Sequence, residues 1–208
     1  MVKIKEMPYK EKYGMVLSNM KIEGPGMAFI EKQLGKQAVL ELDKEFQKGI
    51  KTIPGNSSEK EKYDIATSNL SWMGGTKYNY VKSRLGEEGL NQCVQVDVGF
   101  LKTVTPRPAL FFMSLLRAVS PSAAFTMIIK QMAYKFQYGG PTLLSELSQN
   151  KAIMEVNPCN MLNFLGGENM CILCQRETPI WLREQFKIET KVNRNVKGCT
   201  YTFTPSKK

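Results

Sequence analysis

Ile188-Glu189-Thr190-Lys191-Val192 is the stretch of sequence that decides the fold class. Along it, Ile188, Thr190 and Val192 alternate with charged side chains, which is the pattern of a strand with one buried face. A polar turn over residues 193–198 separates it from a second strand-forming run, Thr200-Tyr201-Thr202-Phe203. We predict that the two runs pair as an antiparallel hairpin.

A helix and a second hairpin are predicted immediately upstream. Gly139-Gly140-Pro141 ends a helical region, and residues 142–148 and 151–157 flank a polar turn. Gly166-Gly167 then opens a helix that we expect to reach about Phe186. This helix therefore lies between two C-terminal hairpins.

The N-terminal half has helical periodicity. Apolar side chains recur every three or four residues over residues 27–50, which predicts one long amphipathic helix. Ser58 and Glu61 form a capping box, so a second helix is predicted over residues 59–72, ended by Gly74-Gly75.

The middle of the chain predicts two further helices. Residues 109–116 are almost entirely apolar but too short to span a bilayer, which indicates a core helix. Ser120-Pro121 is a typical N-cap and first-turn pair, and one apolar face follows it at helical spacing. Residues 93–101 are also apolar, and their pattern leaves helix and strand open.

The order of elements predicts an α+β fold, with a helical N-terminal half packed against a small antiparallel sheet. Strands and helices do not alternate regularly along the chain, as they would in a protein with a parallel sheet. We predict a single ligand-binding domain over residues 26–208, preceded by an N-terminal extension over residues 1–25.

Composition restricts location and partners. The 208 residues contain no apolar run of the roughly 18 to 20 residues that a membrane-spanning helix needs, and the charged start lacks a signal peptide. We therefore expect a cytoplasmic protein with no transmembrane segment. The net charge of +10 is spread along the chain among acids, so we expect no nucleic-acid partner.

Histidine is absent from the sequence. Histidine-dependent catalysis and histidine metal sites are thereby excluded. No phosphate-binding loop, dinucleotide fingerprint or paired-acid motif is present either. We name no catalytic residue, and expect binding rather than catalysis.

Four of the five cysteines, Cys159, Cys171, Cys174 and Cys199, lie in the last 50 residues. Cys171 and Cys174 would share one face of the predicted helix. A set of thiolates suits zinc or an iron–sulfur cluster, and a pair suits redox chemistry. The alternative is that each thiol is a small buried apolar group.

Methionine and aromatic side chains are frequent in the predicted helices. Such side chains repack around irregular ligands, so they favour a deformable apolar pocket, with an ordinary packed core as the alternative. The candidate pocket residues are Phe111, Phe112, Phe125, Ile129, Met132 and Phe136.

The C-terminal third carries a family resemblance. Asn157-Pro158-Cys159, the helix around Cys171-Ile172-Leu173-Cys174-Gln175 and the closing hairpin resemble the 4-vinyl reductase domain family and its relatives, the Bet-type subunits of the TRAPP vesicle-tethering complex. The resemblance covers about residues 75–204. It implies a mixed domain with an apolar pocket, often a homodimer, that senses or carries hydrophobic molecules such as a tetrapyrrole or serves in assembly.

The metal-bearing branch of that family holds zinc with four side chains. The resemblance assigns the second position to Glu189 and the fourth to Cys199. The third falls on Val192, which cannot bind zinc, and the first would come from Cys159, Cys171 or Cys174.

Three functions remain open from the sequence. The leading one is a non-enzymatic domain that binds or senses a small hydrophobic ligand. The alternatives are a cysteine-ligated metal or redox protein, and a dimeric assembly or tethering subunit.

Overall fold

The computed structural model describes residues 2–21 and 23–206 and confirms the α+β fold, with a helical N-terminal half and a four-stranded antiparallel sheet. The helices are α1 (Tyr9–Met20), α2 (Glu23–Leu34), α3 (Lys36–Gly49), α4 (Glu59–Val104), α5 (Arg107–Val119), α6 (Pro121–Lys135), α7 (Gly167–Ile172) and α8 (Thr178–Trp181). The strands are β1 (Thr142–Leu147), β2 (Ala152–Val156), β3 (Ile188–Arg194) and β4 (Cys199–Pro205). Within the described ranges, no helix is both long and apolar enough to cross a membrane.

Both predicted hairpins are present. The sheet has the order β1-β2-β4-β3, and every neighbouring pair is antiparallel. A helical segment joins the hairpins as predicted, with π turns over Leu173–Glu177 and Leu182–Phe186. In the β3–β4 turn, Asn195 Oδ1 accepts hydrogen bonds from the backbone N–H groups of Lys197 and Gly198, which fixes the turn locally.

The chain divides into two compact units, whereas the sequence predicted one domain over residues 26–208. We call residues 2–7, 101–159 and 174–206 the sheet unit, and residues 8–21, 23–100 and 160–173 the helical unit. The predicted extension covers residues 1–25, and its described residues, 2–21 and 23–25, are divided between the two units. Val2 donates a backbone hydrogen bond of 3.0 Å to the Leu144 carbonyl oxygen, so the residues before α1 complete the sheet unit.

The core of the sheet unit lies between α6 and one face of the sheet. Phe125, Ile129 and Met132 of α6 pack in one buried cluster with side chains from β1, β2, β3 and β4. The cross-strand pairs Ala152–Phe203, Met154–Tyr201 and Val156–Cys199 put three pairs of buried residues on this face. Strand alternation therefore sets which side chains reach α6.

The start of α4 follows the predicted capping box. The backbone N–H of Ser58 donates to Glu61 Oε2 at 2.7 Å, and the N–H of Glu61 donates to Ser58 Oγ at 3.3 Å. At Gly86 the φ angle is +68°, which favours glycine, and the helix is divided there into two limbs. Lys77 of the first limb and Asp97 of the second are 2.8 Å apart, so the limbs lie side by side.

Two expectations for the helical unit were wrong. The long helix over residues 27–50 is two helices, α2 and α3, because Gly35 has a φ of +85°. Gly74-Gly75 does not end α4. These glycines let Met170 and Gly166 approach the helix backbone, since a Cβ at Gly75 would lie 2.8 Å from the Gly166 carbonyl carbon.

We expect Gly75→Ala to destabilise the protein by about 1–3 kcal/mol, because its Cβ would overlap the rigid backbone of Gly166. Gly14→Ala is the matched control. Gly14 lies in α1, and no other group lies within 4 Å of the place that an added Cβ would take, so alanine there should stabilise by about 0.5–1 kcal/mol. Urea unfolding measures both, and a Gly75→Ala protein as stable as the wild type would contradict the packing described.

Candidate functional site

The structure brings together four of the six predicted pocket residues in the sheet unit. Phe125, Ile129 and Met132 are buried, and Phe136 is half-buried against the same cluster. The Phe136 ring meets Tyr201 edge-on, with centroids 5.1 Å apart. This group consists of two phenylalanines, one isoleucine and one methionine, and it is closely packed.

Phe111 and Phe112 lie elsewhere than predicted. The expected core helix is α5, and it has no fully buried side chain; Phe111 is 74% exposed and Phe112 53%. The reason is the direction from which α5 packs. Met113 is the side chain of α5 that is half-buried against the core, and around the helix it lies about 160° from Phe111 and about 100° from Phe112.

Three of the five predicted metal ligands, Cys159, Cys174 and Cys199, lie in or pack against one core cluster, whereas Cys171 does not belong to it. Cys171 is buried in the helical unit, and its thiol faces the Gly167 carbonyl oxygen one turn earlier. Cys159, Cys174 and Cys199 belong to the sheet unit. Cys174 hydrogen-bonds with Tyr201, and burial raises the pKa of the Tyr201 hydroxyl well above its ordinary value.

Glu189 and Cys199 do not form the zinc pair that the family resemblance implies. Glu189 pairs with Thr204 in the β3–β4 ladder, whereas Cys199 pairs with Arg194. Because strand residues rise about 3.4 Å each, the five residues from Cys199 to Thr204 span about 17 Å. Glu189 is also exposed and accepts a hydrogen bond of 2.8 Å from Ser206, whereas Cys199 is buried.

Across residues 2–21 and 23–206, no three or more cysteine, aspartate or glutamate side chains are arranged to hold a metal ion. The predicted set of Cys159, Cys171, Cys174, Glu189 and Cys199 is therefore not assembled there. The register of β3 on β4 separates Glu189 from Cys199, and Glu189 is exposed whereas the cysteines are buried or half-buried.

A buried ionic cluster in the helical unit was not predicted. The Lys77 ammonium has no solvent exposure, and its Nζ lies 2.8 Å from Asp97 Oδ2 and 3.3 Å from Glu23 Oε2. The Tyr78 hydroxyl donates to the same Asp97 oxygen at 3.3 Å. Lys77 therefore joins α2 to both limbs of α4.

This cluster contains two carboxylates and one ammonium. Burial raises the pKa of the Glu23 carboxyl above its ordinary value of 4.5; Lys77 opposes the shift and Asp97 adds to it. A proton on Glu23 would make the cluster neutral, and a buried net charge is costly. Since Lys77 Nζ is enclosed and bound to carboxylates, the geometry indicates a structural cross-link rather than an exposed nucleophile.

A sequence signal for this cluster exists. Asp97 occurs at helical spacing with Leu90, Val94 and Val98, and Lys77 precedes Tyr78 and Val81 on a similar face. A charged residue at a core position of an amphipathic helix requires a buried partner. A lysine and an aspartate at such positions in neighbouring helices therefore predict a buried ion pair between them.

No protein-family model, curated protein or solved structure matches this chain.

We expect Lys77→Met to destabilise the protein by about 3–5 kcal/mol, because it leaves the Asp97 carboxylate buried without its cation. The control is Lys62→Met, which removes an exposed ion pair with Glu59 of 3.0 Å and should cost at most about 1 kcal/mol. Urea unfolding at neutral pH compares them. Equal, small losses in the two variants would show that the buried pair does not stabilise the helical unit.

Glu23→Gln should change how stability depends on pH. A carboxyl whose pKa is raised by folding favours the folded state when protonated, so wild-type stability attributable to Glu23 is lost as pH rises above 4.5. The free energy of unfolding of the variant, relative to that of the wild type, should therefore increase from pH 4 to pH 7.

Glu61→Gln is the control of opposite sign. Hydrogen bonds from Ser58 hold the pKa of the Glu61 carboxyl below its ordinary value, so its contribution is lost as pH falls. This variant should lose stability relative to the wild type between pH 4 and pH 7. Parallel pH profiles for Glu23→Gln and the wild type would contradict the raised pKa.

Proposed function

We propose that the protein binds or senses a small hydrophobic ligand in its sheet unit, without catalysing a reaction. The observation that carries this proposal is the way α5 covers the core. It contacts a cluster rich in methionine and aromatic side chains through half-buried residues alone, and none of its own side chains is fully buried.

Helix α5 is weakly held for an element that covers an apolar core. Stabilisation scales with the apolar area removed from water, and regions with few buried contacts open at low free-energy cost. Moving α5 would expose Met113 and the part of the core that it contacts to an incoming ligand. Unbranched thioether side chains adjust to irregular shapes more readily than branched ones, which supports a ligand site at this contact.

The chain also provides a natural reporter. Its two tryptophans are in different units: Trp181 packs edge-on against Phe186 beside the sheet-unit core, with ring centroids 5.2 Å apart, and Trp72 is in the helical unit. A ligand between α5 and the core would quench Trp181 or accept energy from it.

We expect cis-parinaric acid, a fluorescent apolar probe, to bind saturably with one equivalent per chain and with energy transfer from tryptophan. Met113→Ala should change the probe's dissociation constant by about threefold or more, since Met113 is the contact of α5 with the core. The control is Met73→Ala, which removes a half-buried methionine of the helical unit and should leave the constant unchanged.

Two outcomes would contradict the proposal. One is the absence of saturable probe binding by the folded wild-type protein. The other is an equal effect of the two methionine variants, which would place the probe outside the α5 contact.

A further inference from the structure

The outward face of α5 is an exposed apolar surface, which we call the α5 stripe. It consists of Phe111 (74% exposed), Phe112 (53%), Leu115 (55%) and Val119 (78%). At 100° per residue, these four positions lie within an arc of about 100°. Met113, which contacts the core, is on the opposite side. Contiguous exposed apolar side chains of this kind usually mark an interaction surface.

The charged residues near the stripe in sequence are all cationic. Residues 98–145 contain Lys102, Arg107, Arg117, Lys130 and Lys135 and no aspartate or glutamate. Lys102 is paired with Glu184, and the other four make no ion pair with the described residues. Arg107 lies about 40° from Phe111 around the helix, at the border of the stripe. The surface therefore fits an anionic partner that accepts apolar side chains.

A second copy of this chain fits this surface poorly. A symmetric contact through the stripe would bring Arg107 of both chains to the same interface, and no acid within residues 98–145 is available to pair with it. Like charges at an interface oppose association. The charge pattern therefore favours a partner that is itself anionic.

We propose that α5 docks on the surface of an anionic lipid membrane. The helix lies in the plane of the interface, with Phe111, Phe112, Leu115 and Val119 at the boundary between headgroups and acyl chains. Arg107 keeps its guanidinium at the level of the phosphates while its stem covers apolar surface. Apolar insertion and charge attraction act together, as two weak signals are needed for stable binding at a membrane.

This inference goes beyond the proposed ligand function and is tested without it. Docking is measured by flotation with vesicles, whereas ligand binding is measured with the soluble probe and no vesicles. A protein that binds the probe but not vesicles would refute docking alone, and the reverse result would refute the ligand site alone.

We expect the purified chain to float with phosphatidylcholine vesicles that contain about 30% phosphatidylglycerol, and not with pure phosphatidylcholine. Raising the salt to about 0.5 M should release it, since salt screens the charge attraction. Phe111→Ser/Phe112→Ser should weaken vesicle binding about tenfold or more, because both side chains are exposed and their loss leaves the core intact.

The matched control is Leu165→Ser/Val196→Ser, which removes two highly exposed apolar side chains far along the sequence from α5. It should bind vesicles as the wild type does. Arg107→Glu should weaken binding, whereas Lys197→Glu, an equal change of charge on the β3–β4 turn, should have less effect.

Three results would overturn the proposal. The first is no flotation of the wild type with anionic vesicles. The second is unchanged binding by the Phe111→Ser/Phe112→Ser variant, with circular dichroism confirming that it is folded. The third is a wild-type dimer in light scattering that this variant disrupts, without vesicle binding, because the stripe would then be covered by a second copy.

Discussion

The pairing of Lys77 with Asp97 is the interaction on which the helical unit depends. An ammonium without solvent exposure is tolerated only beside an anion, so the two limbs of α4 are restricted to the register that brings these side chains within 2.8 Å. Glu23 extends the same requirement to α2. Apolar packing alone would permit sliding between helices, whereas a buried pair with its hydrogen-bond geometry specifies one alignment.

The features that were predicted correctly are local. The Ser58–Glu61 capping box, the Ser120-Pro121 helix start and the two hairpins each depend on a few adjacent residues. Gly74-Gly75 was misinterpreted because a glycine that ends a helix and one that admits a neighbouring backbone look alike in sequence. What distinguishes them is Gly166, some 90 residues later in the chain, and no local pattern contains that contact.

The placement of α5 shows the same difference between local and long-range information. An apolar run predicts a helix, but which of its faces is covered depends on the element against which it packs. Met113 turns inward, so Phe111 and Phe112 face solvent, although hydrophobicity alone placed all three in the interior. The predicted zinc pair of Glu189 and Cys199 is not formed for a related reason. The spacing of the two residues in sequence carries no information on the strand register that separates them.

The sheet order has a consequence for synthesis on the ribosome. Strand β4 lies between β2 and β3, yet it is the last of the described elements to be made. Until it emerges, the nascent chain presents the unpaired edge of β2 beside an incomplete core, the kind of edge to which another nascent chain can pair. The helical unit also cannot be completed until residues 160–173 are made, and these follow both strands of the first hairpin. Chaperone demand should therefore be concentrated in the late stage of translation, when most of the chain is made and neither unit is complete.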